Sequence, residues 1–344
     1  MKILICNDGY HAMYYIRLGL ARAFTALGHD VVMWQKDQKA THDAFDELEP
    51  DLFIGQTYNL TDSIIEAIME RPHLKVICKA GDWGMDVNTD KYKILMATEE
   101  EKDKVLKLKE QTGQPEFLYI YYHPDYISQT HKGWIDAGIS VHSIMNACDV
   151  FDYTGGQILD EFKSDICFIG GYWNYKAIEI DQYLLPICNK YHTKIFGNSP
   201  WPIYQYCGMI PNEYVKHAFA SSLVCPNLNE PHARRYGFDI NERPFKLAGN
   251  KSFIISSYVE GLEKIYPDDE IVYAKTPEEF HDLISYYIKN PDERQSYIDK
   301  AFQRTMRDHT YFNRAKDILD NLSINCDVEW AKIHTFQKLG ITDI

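Results

Sequence analysis

Residues 2–34 read as a single βαβ unit. KILIC is a short β-prone run, NDGYH is a polar loop, and residues 12–27 carry apolar side chains at helical spacing up to Gly28, a helix-stop residue. HDVVMW then reads as a second strand. Two strands joined through a helix run parallel, because a crossover is what returns the chain in the same direction. The rhythm continues. DLFIGQ and LKVICKAGDWG read as strands with their C-terminal loops, separated by a helix from Thr61 to Glu70 capped near Thr61 or Asp62. EEEKDKVLKLKEQTG reads as a charged, solvent-facing amphipathic helix, with its acids at the favourable dipole end, and FLYIYYHP as another strand. The pattern lapses from Gly138 to Asp165 and restarts at DICFIGGYW. A helix over 177–191 follows, then TKIFGNS, a helix over Asn212–Ala220, SSLVCPNLN, a helix around Pro244–Gly249, SFIISS, and a helix from Thr276 to Lys289. From Asp292 the chain reads as helical. This predicts an α/β fold with two doubly wound parallel sheets. The 344 residues suit about two domains. The expected boundaries are residues 1–150, 151–322 and a helical tail, 323–344, packing back on the first domain.

Composition narrows the function. Apolar residues make up 45% and charged residues 25%, which excludes a disordered or coiled-coil chain. No run approaches the ~20 apolar residues of a membrane span, and MKILICNDGY lacks the apolar core of a secretory signal, so a cytoplasmic protein is expected. The net charge of −14 repels a polyanion unless a local basic patch outweighs it. Lys75, Lys79, Lys91 and Lys93, close in sequence, are the candidates for such a patch. None of the eight cysteines is spaced CxxC, and most lie in apolar runs, so they read as reduced core thiols and no metal site or cofactor is predicted.

Ligands bind at the C-terminal ends of strands in such sheets, and two loops there carry chemistry. In FIGGYWNYK, Gly170 and Gly171 allow close backbone approach, the following helix offers free N–H groups to a phosphate, and Tyr172 and Lys176 stand beside them. The same residues also suit a tight strand–helix turn with no ligand. In NLNEPHARRYGFDINERPFKLAGNKSF, polar and charged residues crowd before a helix and a buried strand. Asn229, Asn241 and Glu242 suit sugar hydroxyls, and Arg234, Arg235, Arg243 and Lys246 suit a diphosphate, unless the segment is a solvated loop with ion pairs.

From Asn241 to Arg314 the ordered elements are Arg243-Pro-Phe245, Ala248-Gly249, SFIIS, Glu260-Gly261-Leu262, Pro277-Glu-Glu279, Asn290-Pro291-Asp-Glu-Arg294 and His309-Thr-Tyr311-Phe-Asn-Arg314. This run resembles the C-terminal domain of group-1 glycosyltransferases, in the CgeB-like branch. The resemblance implies a GT-B fold of two Rossmann-like domains facing across a cleft, with transfer of a sugar from a nucleotide diphosphate sugar to an acceptor hydroxyl. The second domain would bind the donor and the first the acceptor, without a metal. By position, Gly170 and Gly171 would approach the donor phosphates, Gly197 would end a strand near the nucleotide, and Arg243 with Phe245 would shape the ribose–diphosphate site. One departure stands out: Lys246 occupies the place where many relatives carry a ribose-binding Glu. Either Glu242 takes that role, Lys246 makes a different donor contact, or the activity is lost. A nucleotide-sugar binding protein without turnover, or a sugar-nucleotide epimerase of the same fold, are the competing readings.

The catalytic group is expected after a strand of the first domain. Asp8 and His11 in NDGYH are the first candidates for a general base, Asp8 serving equally as a helix cap. Asp82 in KAGDWG is the second, with Trp83 beside it as a sugar-stacking or core residue, and His123 with Asp125 the third. Asp268 and Asp269 read as a solvated turn, and His309 as a packing residue between domains. The acceptor is left open among a glycan, a protein and a modified nucleic-acid base.

Overall fold

The computed structural model describes residues 1–7, 12–85 and 95–342. Asp8, His11, Lys91 and Lys93 lie outside the described residues. The chain divides into two compact units, Met1–Met145 with Tyr311–Thr335, and Asn146–Thr310 with Phe336–Ile344. The chain passes between units within the stretch where the strand–helix rhythm lapses.

The first unit holds a parallel sheet of β1 (Lys2–Cys6), β2 (Asp30–Trp34), β3 (Leu52–Gln56), β4 (Lys75–Lys79), β5 (Phe117–Ile120) and β6 (Val141–Ser143), in the order β2-β1-β3-β4-β5-β6. All five residues of β3 are buried, as in a parallel sheet covered on both faces. Thr61 caps its helix by accepting from the Ile64 N–H. Thr98 and Glu101 form a capping box at the start of the helix Glu99–Thr112. That helix is less solvent-facing than its charges suggest. It buries Val105 and Leu108, and Glu101 also accepts from the Thr57 hydroxyl at 2.9 Å. One polar side chain thus satisfies both a helix end and a neighbouring turn.

The second unit holds β7 (Ser164–Ile169), β8 (Thr193–Phe196), β9 (Ser222–Asn227), β10 (Ile254–Ser257) and β11 (Val272–Ala274), all parallel, in the order β11-β10-β9-β7-β8. Strand β7 therefore has both of its sequence successors as neighbours, β8 on one side and β9 on the other. This reversal is the topological switch point, where parallel sheets leave a crevice at the strand ends. The helix expected over 177–191 is split into Asn174–Tyr183 and Leu185–Cys188, with Pro186 at the start of the second piece, because proline fits the first turn of a helix and breaks its interior. Proline acts likewise at Pro231, which opens a short helix, Pro231–Tyr236, where the sequence suggested only a loop. The cysteines are buried except Cys207, which is exposed, and Cys326, which is half-buried. Burial pushes the Cys167 thiol up to about 12, so it stays protonated and unreactive at neutral pH. No helix among the described residues is long and apolar enough to cross a membrane.

Candidate functional site

The pairing of β7 with β9 runs from Ser164↔Ser222 to Ile166↔Val224. Beyond it, a guanidinium takes over from the ladder. Arg243, the first residue of the helix Arg243–Gly249, donates through Nε and Nη2 to the Ile169 carbonyl at 3.3 Å. Its Nη1 donates to the Leu228 carbonyl and to Asn227 Oδ1, both at 3.3 Å. Arg243 thus ties together the C-terminal ends of the two strands flanking the switch point. Its planar group also lies over the Phe168 ring, 4.5 Å from the centroid. Desolvation lowers its pKa to about 10, with Glu230 opposing the shift, so the charge persists at neutral pH. Four of its five N–H groups serve protein acceptors in these bonds.

The glycines are explained by this bridge. A Cβ on Gly170 would lie 2.8 Å from Arg243 Nη2, and a Cβ on Gly197 only 2.2 Å from the Gly170 carbonyl oxygen. Both are required for close approach of protein to protein. Gly171 differs: its nearest neighbours would be Asn198 Oδ1 at 3.3 Å and Ser199 Oγ at 3.5 Å, a tolerable fit. Ser199 holds the loop by accepting from the Tyr172 N–H at 3.0 Å, and the Trp201 indole donates to the Gly170 carbonyl at 3.1 Å. The helix Asn174–Tyr183 then begins without a side-chain cap and without an acid in its first turn. Its N–H groups and dipole favour an anion. Lys176, in that first turn, lies 6.0 Å from the Phe168 ring centroid, so it and Arg243 share one aromatic neighbour.

Other residues singled out in the sequence serve different ends. Asn229 is fully enclosed. Its amide donates to the Ser257 carbonyl at 2.9 Å, and its oxygen accepts from Asn241 at 3.0 Å. Asn241 in turn accepts from the Arg243 N–H at 3.0 Å. These asparagines position Arg243 through an internal network. Phe245 does not line a ribose site. It is 1% exposed, packed against Tyr266 and His309 with centroids 5.7 and 5.6 Å away. Two residues along a helix is about 200° of rotation, so Phe245 faces the core opposite Arg243. His309 therefore has a packing role inside the second unit. Lys246 meets Glu242 one turn back, at 2.6 Å, and its ammonium lies 4.4 Å from the Tyr153 ring centroid. The unusual lysine and its neighbouring acid neutralise one another. Sequence reasoning missed His232, which is fully buried with Nε2 2.6 Å from Asp239 and Nδ1 3.6 Å from Glu230. It clamps the two ends of the loop that precedes Arg243. The only signal available was a histidine flanked by acids on both sides.

In the first unit, Asp82 is 1% exposed, accepts from the Tyr122 hydroxyl at 3.1 Å and faces His131 Nε2 at 3.5 Å. A base open to an acceptor does not fit this enclosure. Trp83 packs edge-on against Trp134, centroids 4.9 Å apart, and Gly133 is required beneath it. Trp83 is partly buried, packed against the first unit's core. His131 is held down to about 3 by burial and by the charge of Lys79. Between about pH 3 and 6.5 the unfolded chain therefore binds the extra proton, and stability falls as the pH drops through that window. From pH 7 to about 5 the native chain is expected to lose on the order of 2 kcal/mol more than His131→Gln, measured by urea titration at each pH. Parallel curves would contradict this. Among the described residues, no group of three or more His, Cys, Asp or Glu is placed to hold a metal ion.

Residues 182–320 match the model of a protein family described as glycosyl transferase-like. Sucrose-phosphate synthase from Thermosynechococcus elongatus has the same fold, with a TM-score of 0.61 at 11% identity, covering 93% of this chain and 98% of that one. The T4 phage enzyme BGT, in complex with UDP and Mn2+, gives 0.58 at 13% identity, with 94% and 100% covered. An alpha-glucosyltransferase in complex with UDP-glucose and DNA containing an abasic site gives 0.64 at 11%, with 93% and 98% covered. No curated protein sequence matches the chain. The fold is thus GT-B, with two Rossmann-like parallel-sheet domains, and the glycosyl transferase-like segment lies mostly in the second unit.

Proposed function

We propose that this protein is a metal-independent glycosyltransferase of the CgeB-like branch. It binds a nucleotide diphosphate sugar at the C-terminal edge of the second unit's sheet and transfers a hexose to an acceptor hydroxyl. The observation that carries this reading is Arg243 bridging the switch point beside an uncapped helix N-terminus. Together with Lys176 these are the groups that would neutralise the leaving diphosphate, in a position fixed before the reaction. Gly171, whose added Cβ would meet only side-chain atoms of Asn198, Ser199 and Trp173, is the glycine proposed to lie nearest the phosphates. UDP-glucose is the first donor to test, since it is bound in one of the solved structures of this fold. Asp8 or His11 is proposed to act as base at the acceptor hydroxyl. The internal pairing of Lys246 with Glu242 adds no net charge to the site, which favours an active enzyme over a binding protein that has lost turnover.

The test is a thermal-shift panel of UDP, GDP, ADP, CDP and dTDP, followed by assay of UDP release from UDP-glucose. UDP at ~100 times its dissociation constant is expected to add about 2.7 kcal/mol of stability. UDP release is expected to survive chelation by EDTA. No shift with any nucleotide would overturn the reading, and release that stops on chelation and returns with Mn2+ would overturn its metal-independence.

A further inference from the structure

The short helix Pro231–Tyr236 lies against the helix Asn174–Tyr183 through two contacts one turn apart. At one, Arg234 pairs with Glu179 at 2.7 Å. At the other, nearer the N-terminus, His232 meets Tyr175. Their ring centroids are 5.9 Å apart with the planes inclined by 32°, and the Tyr175 hydroxyl accepts from the His232 backbone N–H. Tyr175 sits between Asn174 and Lys176 in the first turn, the one whose N–H groups and dipole favour an anion. His232 itself is 1% exposed, and its Nε2 lies 2.6 Å from Asp239 Oδ2. Asp239 stands between the buried Phe238 and Ile240, four positions before Arg243. One imidazole therefore touches both sides of the proposed diphosphate site: the helix N-terminus through Tyr175, and the segment that carries Arg243 through Asp239.

The two ring nitrogens are used differently. A carboxylate can only accept, so Nε2 carries a proton and donates it to Asp239. Nδ1 has no hydrogen-bond partner and stands 3.6 Å from Glu230, beyond hydrogen-bond reach. Buried polar atoms are nearly always paired. A ring kept only to staple its own loop would use both nitrogens. This ring makes a single bond, at the nitrogen that faces the Arg243 segment. Asn241 continues the line by accepting from the Arg243 N–H at 3.0 Å. The Arg234–Glu179 pair joins the same two helices one turn further from the anion end.

Resting on the glycosyltransferase reading, we infer that His232 is a positioning residue for the donor diphosphate. Acting through Tyr175 and Asp239, it sets Arg243 relative to the helix N-terminus, so that both meet the same pair of phosphates. The test compares UDP with uridine, which lacks the phosphates, by ligand-observed NMR titration of the full chain, with a urea titration of each variant to confirm folding. His232→Asn, whose amide reaches only the Nδ1 position, is expected to weaken UDP about tenfold and uridine less than about twofold. His232→Gln, whose amide nitrogen reaches the Nε2 position, keeps the bond to Asp239 and is expected to bring UDP affinity back to within about threefold of the native chain. Tyr175→Phe removes one hydroxyl and is expected to weaken UDP about threefold while sparing uridine. It carries the test if His232→Asn does not fold. Equal fractional losses of UDP and uridine, unchanged UDP affinity in His232→Asn and Tyr175→Phe, or glutamine no better than asparagine would overturn the inference. A native chain that binds no UDP would overturn the donor reading beneath it, whereas native UDP binding with any of the other three results would overturn the role of His232 alone.

Discussion

Replacing Arg243 with methionine is expected to abolish the UDP-induced thermal shift and to cost about 3 kcal/mol of stability. Three acceptors at the switch point, the Ile169 and Leu228 carbonyls and Asn227 Oδ1, lose their donor at once. Each buried acceptor left unpaired costs roughly 1–3 kcal/mol, less whatever water can repair at the rim. Lysine is not a conservative replacement. An ammonium is a compact charge on a flexible stem, whereas the guanidinium is a planar fork that reaches both strand ends together. Arg243→Lys should therefore keep the positive charge, recover less than half of the stability and bind UDP weakly. Urea titration and calorimetry on the three proteins decide the matter. Full recovery by lysine would show that charge alone is needed and that the bridge is incidental.

Gly197→Ala is expected to be the other severe change. The added Cβ would lie 2.2 Å from the Gly170 carbonyl oxygen and 3.0 Å from its carbon. Both are backbone atoms, so no flexible side chain can yield, and the ends of β7 and β8 must part. Overpacking of this kind costs about 1–3 kcal/mol, and the displaced Gly170 carries the Arg243 bridge with it. A loss of about 3 kcal/mol with loss of UDP binding is expected, read from denaturant midpoints and the thermal shift. Gly171→Ala is the informative contrast. Its Cβ would meet only side-chain atoms, none closer than 3.3 Å. Stability should change by less than about 1 kcal/mol, while UDP affinity falls about tenfold, because the methyl group stands where the diphosphate would approach. An unchanged affinity would move the phosphates away from this loop.

The same comparison shows what sequence reasoning reaches in such a chain. The GG pair after β7 and the N-x-R-x-F segment before β10 were legible as a candidate site because glycine spacing, charge density and family pattern are local. Their division of labour was not. Gly170 and Gly171 are adjacent and alike in sequence, yet one is filled by a guanidinium from 73 positions further on and the other faces only side-chain atoms, none closer than 3.3 Å. Phe245 and Arg243 share a motif, but the helix turns them to opposite faces. Asp82 looked exposed after its strand, and only the packing of Tyr122 and His131 shows it enclosed. Lys75 and Lys79 looked like one patch, yet one five-residue strand places them at opposite edges.

Sequence alone determined the parallel α/β class, the two-unit organisation and the helix cap at Thr61. Each depends on interactions within a few residues, or on a period that any short window displays. Tertiary structure alone decided which polar groups are free to meet a ligand. Those contacts join residues such as Arg243 and Ile169, 74 positions apart, or Tyr58, Lys79 and Tyr121 from three successive strands. Strand order brings them together, and no local pattern records which partner a side chain will find once the sheets have closed.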